Sequence, residues 1–277
     1  METEQNDMTP HEAAEALRWL AEMGADEVIG AEPVNRLLPA APRAAADSAP
    51  ALAQPQPTAP QTAPRPTPPR PAGAGTAGPS PAAACNSLDE IAAALASFDA
   101  CPLKKTATRL CYADGHASAR VMLIGEAPGR EEDIEGKPIA GRSALMLDRM
   151  LGAIGLSRQA QDRESAVFIT NPVFWRPPGN RAPTEAEMAM CLPFLERTIE
   201  LQTPDVIVCL GLMAAHRLTG RKDSMLKTRG LWVTVNVSGR SIPLMTTYHP
   251  AFLLRQPAQK RLAWRDLLSL RQMLDAH

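Results

Sequence analysis

Four short and almost unbroken apolar runs govern what this chain can fold into: RVMLIG (Arg120–Gly125), AVFITN (Ala166–Asn171), DVIVCLG (Asp205–Gly211) and PLMTTYH (Pro243–His249). Patterns of helical period separate them, at Ser143–Ile154, Thr184–Leu201, Leu212–Leu218 and Gln259–Leu274. A strand that is apolar on every residue is buried on both faces, and strands interleaved with helices build a mostly parallel sheet with helices on both sides. The expected fold is therefore α/β, in three layers, α/β/α, around a central and mostly parallel four-stranded sheet. Thr184 and Glu187 form a capping box that starts one of the helices.

Sheets of this kind bind ligands outside the carboxyl ends of their strands. The segments leaving those ends are GEAPGREED, NPVFWRPPGNR, GLMAAH and HPAFLLR. These are the places where chemistry is expected.

Composition divides the 277 residues into three parts. Residues 39–84 are almost entirely Pro, Ala, Thr, Gln, Gly and Ser, with no aromatic residue, so this stretch cannot offset its ordering entropy by burial. It reads as a disordered, partly polyproline linker. Before it, residues 1–38 hold one helix signal: Thr9 to Glu12 is a capping box with Pro10 at the first helical position, and the pattern stops at Gly24. Such a helix either packs on its own protein or binds a partner. After the linker, residues 85–277 are enough for one well-buried domain.

The residues before the body carry a net negative charge, which leaves the body mildly basic; that charge permits a nucleic-acid partner without requiring one. The five cysteines are an odd number and follow no signal-peptide core, so a secreted disulfide framework is not expected. No apolar run is long enough to span a bilayer. A cytoplasmic monomer is the expectation.

The loop from Gly125 to Gly136 lacks the Gly-x-Gly-x-x-Gly of dinucleotide sites and the Gly-Lys-Ser/Thr of phosphate loops. It carries Glu126, Glu131, Glu132 and Asp133 instead. A carboxylate cluster repels a polyphosphate and suits a water nucleophile or a developing cation. Asn171 ends its strand with an amide that offers both a donor and an acceptor, which reading a base edge requires, although strand-end asparagines also serve turns. Arg176 and Arg181 flank a rigid double proline and can clamp phosphates or simply be solvated. His249 leaves the same sheet edge.

These segments resemble the family 4 uracil-DNA glycosylases from Ser97 to Leu274, through GEAPGREED with GKPIAGRSALMLDRML, through ITNPVFWRPPGNRAPTEAEMAMCLPFLERTIEL, and through HPAFLLRQPAQKRLAWRDL. The resemblance implies the uracil-DNA glycosylase-like fold and the hydrolysis of the bond joining uracil to deoxyribose in DNA, as the first step of base-excision repair. Such an enzyme takes the base out of the stack and stabilises an oxocarbenium-like sugar and a departing uracil anion. By similarity Asn171 bonds the uracil edge and excludes cytosine, and His249 donates to the uracil oxygen that gains charge. Gly125, Glu126 and Ala127 line the pocket, and Glu126 or Glu132 orients water. The family 1 motif has an aspartate where Ala127 stands here. Arg176, Asn180, Arg181 and Arg255 face the DNA.

Two departures stand out. Typical members hold a four-iron four-sulfur cluster on four cysteines; Cys101 and Cys191 match two of them, while Phe98 and Trp175 stand at the other two positions. Two thiolates do not hold such a cluster, so no cofactor is expected. Ile139 stands where the family has a phenylalanine that stacks on uracil. Both departures also motivate a second reading, a DNA-binding relative that has lost excision. A third, a relative that traps the abasic sugar covalently, is disfavoured because no histidine lies between His116 and His216.

Overall fold

The computed structural model describes residues 80–276. The expected helix after Thr9 and most of the expected linker lie outside the described residues. The domain starts earlier than Cys85, however. Ser80 caps a short turn over Pro81–Ala84, Ala82 is buried in the core, and Arg197 Nε donates to the Cys85 carbonyl at 2.8 Å.

One six-stranded sheet runs through the domain in the order β1-β3-β2-β4-β6-β5. The strands are β1 (Ala113–Gly115), β2 (Val121–Ile124), β3 (Val167–Thr170), β4 (Val206–Leu210), β5 (Trp232–Val237) and β6 (Arg240–Thr247). The four apolar runs are β2, β3, β4 and β6, which pair in parallel as expected. The strand count is corrected from four to six, because β1 and β5 add antiparallel edges. β1 spans Ala-Asp-Gly and carries no strand pattern, whereas β5 alternates in burial and turns into β6 through Ser238 and Gly239.

The helices are α1 (Leu88–Ser97), α2 (Arg130–Glu135), α3 (Gly141–Gly152), α4 (Glu185–Gln202), α5 (Leu212–Thr219), α6 (Met225–Thr228), α7 (Pro250–Arg255) and α8 (Lys260–Asp275). Successive strand residues point to opposite faces. In β2, Met122 and Ile124 enter the core beneath α1, α4 and α5, while Val121 and Leu123 enter the core beneath α3, α7 and α8. The result is the three-layer arrangement. The Thr184 capping box forms as read: Thr184 Oγ1 accepts from the Glu187 amide at 3.2 Å, and Glu187 Oε2 accepts from the Thr184 amide at 2.7 Å.

Candidate functional site

The four parallel strands end side by side, and their exits deliver Gly125 and Glu126 from β2, Asn171 from β3, Gly211 from β4, and Tyr248 and His249 from β6. A cleft of about 750 Å³ opens over them. Glu126, Ala127, Glu132, Asn180, Arg181, His249 and Arg255 all line it. Gly125, Asn171 and Ile139 are buried beside the exits of β2 and β3, and Arg176 stands behind Asn180.

His249 caps α7 with its own ring. Its Nδ1 accepts from the Ala251 amide at 3.2 Å. An Nδ1 that accepts leaves the proton of the neutral imidazole on Nε2, so the other ring nitrogen is a donor. Burial and the Arg255 guanidinium hold the ring at about 4, well below the usual histidine value, and it is neutral at physiological pH. The sequence run after His249 explains the placement, because Pro250 begins a helix whose first turn needs a cap.

Glu126 faces Gly211 across the cleft floor. A Cβ on Gly211 would fall 2.3 Å from Glu126 Oε1, so the bare backbone there makes room for the carboxylate. Burial raises the Glu126 pKa, and Arg255 opposes the rise.

Glu132 has a different position from the one expected of a water-orienting group. Its Oε2 accepts from the Gly129 amide at 2.9 Å and its Oε1 from the Ala140 amide at 3.0 Å. Both oxygens therefore hold the two ends of the loop together.

Asn171 is 1% exposed. Its Nδ2 donates to the Pro138 carbonyl at 2.8 Å, while Oδ1 is buried without a hydrogen-bond partner. Oδ1 lies directly on Gly125, where a Cβ would come within 2.3 Å of it and 3.7 Å from Ile139 Cδ1. Leaving a buried acceptor unpaired costs about 1–3 kcal/mol, so this oxygen, at the strand exits beneath the cleft, is free to accept from a donor. Ile139 itself packs into the core and is not on the cleft wall.

The arginines differ among themselves. Arg181 grips Glu187 with two nitrogens, at 2.8 and 2.6 Å, and holds that carboxyl at about 2. Its charge is neutralised at home, contrary to the expectation of a cation free for phosphate. Arg176 Nε donates to Asn180 Oδ1 at 2.7 Å, and its Nη1 stands 4.0 Å from the buried Asp133. Arg255 is exposed at the cleft edge.

Sequence reasoning passed over Tyr248 and Phe252, which line the cleft on either side of His249 in chain order and stack with centroids 4.9 Å apart and an 18° interplanar angle. Two aromatics flanking a histidine, in YHPAF, were the available signal.

The uracil DNA glycosylase superfamily model matches residues 112–268, which takes in every strand exit and the whole cleft floor. This chain belongs to the uracil-DNA glycosylase superfamily. It is 37% identical over 196 residues to the type-4 uracil-DNA glycosylase of Saccharolobus solfataricus, covering 69% of this chain and 88% of that one. The type-4 enzyme of Archaeoglobus fulgidus is 37% identical over 175 residues, 62% of this chain and 85% of its own. A type-5 uracil-DNA glycosylase of Pyrobaculum aerophilum is 30% identical over 149 residues, 50% of this chain and 63% of its own.

Type-4 uracil-DNA glycosylases usually hold a four-iron four-sulfur cluster, and the residues present here do not fit one. Cys101 and Cys191 are buried free thiols that share a hydrogen bond, which lowers the Cys101 pKa and raises that of Cys191. Phe98 packs edge-on against Phe194 at 5.0 Å, and Trp175 against Phe174 at 6.2 Å. Cys111 donates to the Glu132 carbonyl and Cys85 to the Pro81 carbonyl. Among the described residues no group of three or more His, Cys, Asp or Glu side chains could hold a metal ion.

Proposed function

We propose that this uracil-DNA glycosylase, a DNA N-glycosylase of base-excision repair, breaks the bond between uracil and deoxyribose with His249 as electrophile, Glu126 as the base for water and Asn171 as the reader of the base. The neutral His249 ring, with Nδ1 tied to the backbone and Nε2–H left as a donor at the cleft, carries this reading. As the bond from C1′ to N1 of uracil breaks, both electrons leave with the base. A fixed donor at the oxygen that gains the charge is worth far more in a closed cleft than in water. A neutral donor suits the task, since it need not surrender its proton to stabilise the anion.

Glu126 is the better supported of the two carboxylates, because both oxygens of Glu132 are occupied by backbone amides. Its ionised form stabilises positive charge at C1′. When water adds there, one proton passes to Glu126 and on to solvent. Burial raises its pKa toward that of an effective base.

The unpaired Asn171 Oδ1 supports recognition of uracil N3–H, a donor that cytosine replaces with an acceptor. A site built for that donor leaves its own acceptor unpaired on the wrong base, which is the strong form of discrimination. Tyr248 and Phe252 supply the apolar wall, with Gly125 and Ala127 beneath the base and Ile139 packed behind Gly125. Arg255 is the exposed cation best placed for a phosphate, with Arg176, Asn180 and Arg181 along the same rim.

No cluster takes part in this reading, since aromatic packing occupies the surroundings of the Cys101–Cys191 pair. Five buried free thiols suit a reducing cytoplasm. No helix among the described residues is long and apolar enough to cross a membrane.

The test is uracil release from an oligonucleotide, read on a gel after alkali cleaves the abasic sites. His249→Ala and Asn171→Ala should each lower the single-turnover rate at least about tenfold, because removing one preorganised donor commonly costs about 10²–10³ in rate. Wild-type rates in both variants would overturn the residue assignments, and no release by the wild-type protein would favour the DNA-binding reading.

A further inference from the structure

His249 is the first residue after Tyr248, and Tyr248 follows Thr247, the last residue of β6. The hydroxyl of Thr247 is held by a single carboxylate. Asp266, 2% exposed on α8, accepts from Thr247 Oγ1 at 2.7 Å through Oδ2 and from Arg229 Nη2 through Oδ1. The same Arg229 nitrogen donates to the Leu262 carbonyl at 2.7 Å. The guanidinium carbon stands 5.7 Å from the centroid of the Tyr248 ring, which in turn stacks on Phe252 of α7. On the other side, the Thr247 carbonyl accepts from the Gly211 amide at 2.9 Å, beside the seat of Glu126.

We propose that Asp266 is a positioning residue for His249, acting through Thr247 on the strand end and through Arg229 on the Tyr248–Phe252 stack that lines the same cleft.

The choice of groups supports a role in placement above one in stability. Desolvating a carboxylate and a guanidinium carries a large penalty for each ion, and apolar side chains of the same volume commonly stabilise as well or better. An ion pair adds direction: it fixes a hydroxyl and a ring relative to one point on α8. Burial raises the Asp266 pKa, while Thr247 and Arg229 oppose the rise, so the ionised form depends on these same contacts. His249 is held at Nδ1 by one backbone bond of 3.2 Å, which sets the tautomer but leaves the strand end to be located by other groups.

This inference rests on His249 being the electrophile, and its test reads the ring independently of turnover. Thr247→Val removes the hydroxyl and keeps the shape; Thr247→Ser keeps the hydroxyl. With ¹⁵N-histidine in the full chain without DNA, the valine variant should shift the His249 ring nitrogens toward a mixture of tautomers, and the serine variant should keep the wild-type pattern. Single-turnover excision should fall roughly tenfold in the valine variant with KM within about twofold, less than the about 10²-fold that a 1 Å misplacement can cost. Serine should restore it. Unchanged ring nitrogens in Thr247→Val, or equal losses in both variants, would overturn the proposal. A wild-type rate in His249→Ala would remove the electrophile assignment instead, and would leave the ring measurement standing on its own.

Discussion

Replacing Gly125 by alanine tests the base-reading corner without touching any group that reacts. The new methyl would sit 2.3 Å from Asn171 Oδ1 and 3.5 Å from its Cγ, with Ile139 Cδ1 at 3.7 Å. Ordinary contact begins near 3.4 Å, so the amide has to retreat by about 1 Å, and a displacement of that size at a reacting centre costs about 10²-fold, or roughly 2.7 kcal/mol. The retreat also strains the bond from Nδ2 to the Pro138 carbonyl. Leaving that buried pair unmade costs about 1–3 kcal/mol of stability, a melting temperature lower by about 2–12 °C in a domain of this size. Single-turnover release of uracil should therefore fall about a hundredfold while the protein stays folded at 25 °C. The double variant Gly125→Ala/Asn171→Ala should be no slower than Asn171→Ala alone, because the methyl has nothing left to displace. A single variant within threefold of wild type, or strictly additive losses, would refute the placement of the amide against Gly125.

Four further outcomes follow from the structure. His249 is held at about 4 in the folded chain against 6.5 when unfolded, so the unfolded state binds more protons between those values and stability falls as pH drops through that window; His249→Gln should flatten the melting-temperature profile there. The excision rate should fall on the acid side at a pH above the ordinary carboxylate range, because burial raises Glu126, and Glu126→Gln should abolish that limb along with most of the rate. Protein purified without air should be colourless and lack stoichiometric iron, and Phe98→Ala/Trp175→Ala should lower stability by about 3–5 kcal/mol or more, as emptied aromatic sites do. A chain starting at Ser80 should melt and excise like the full chain, whereas one starting at Asn86 should melt lower, since it loses the buried Ala82 and Cys85 and the carbonyl that Arg197 grips.

The parallel core was legible because burial on both faces writes an unbroken apolar run into the chain, and β2, β3, β4 and β6 carry one each. The edges were less so. β1 is three residues that pair by backbone alone, while the alternation in WVTVNV and the Ser238-Gly239 turn were present and overlooked. Glu126, Asn171 and His249 could be named because each is the first polar residue after a strand. Other contacts could not: Glu132 meets the Gly129 amide at the capping-box spacing, but it meets the Ala140 amide, and Arg181 meets Glu187, through loop geometry that no spacing encodes. Asp266 reads as one more acid on an amphipathic helix until α8 is packed under β6.

The strand exits that make the cleft are scattered along the whole domain, so the site has a place in time as well as in space. Parallel pairing has no local hairpin to start it, and loop closure must be completed before the contacts reward it, which makes such sheets slow to form. On the ribosome, a chain that has emerged only as far as β4 carries Glu126 and Asn171 but lacks His249. The proposed donor is therefore added after the other two groups, and α8, whose Asp266 holds the Thr247 hydroxyl, follows it.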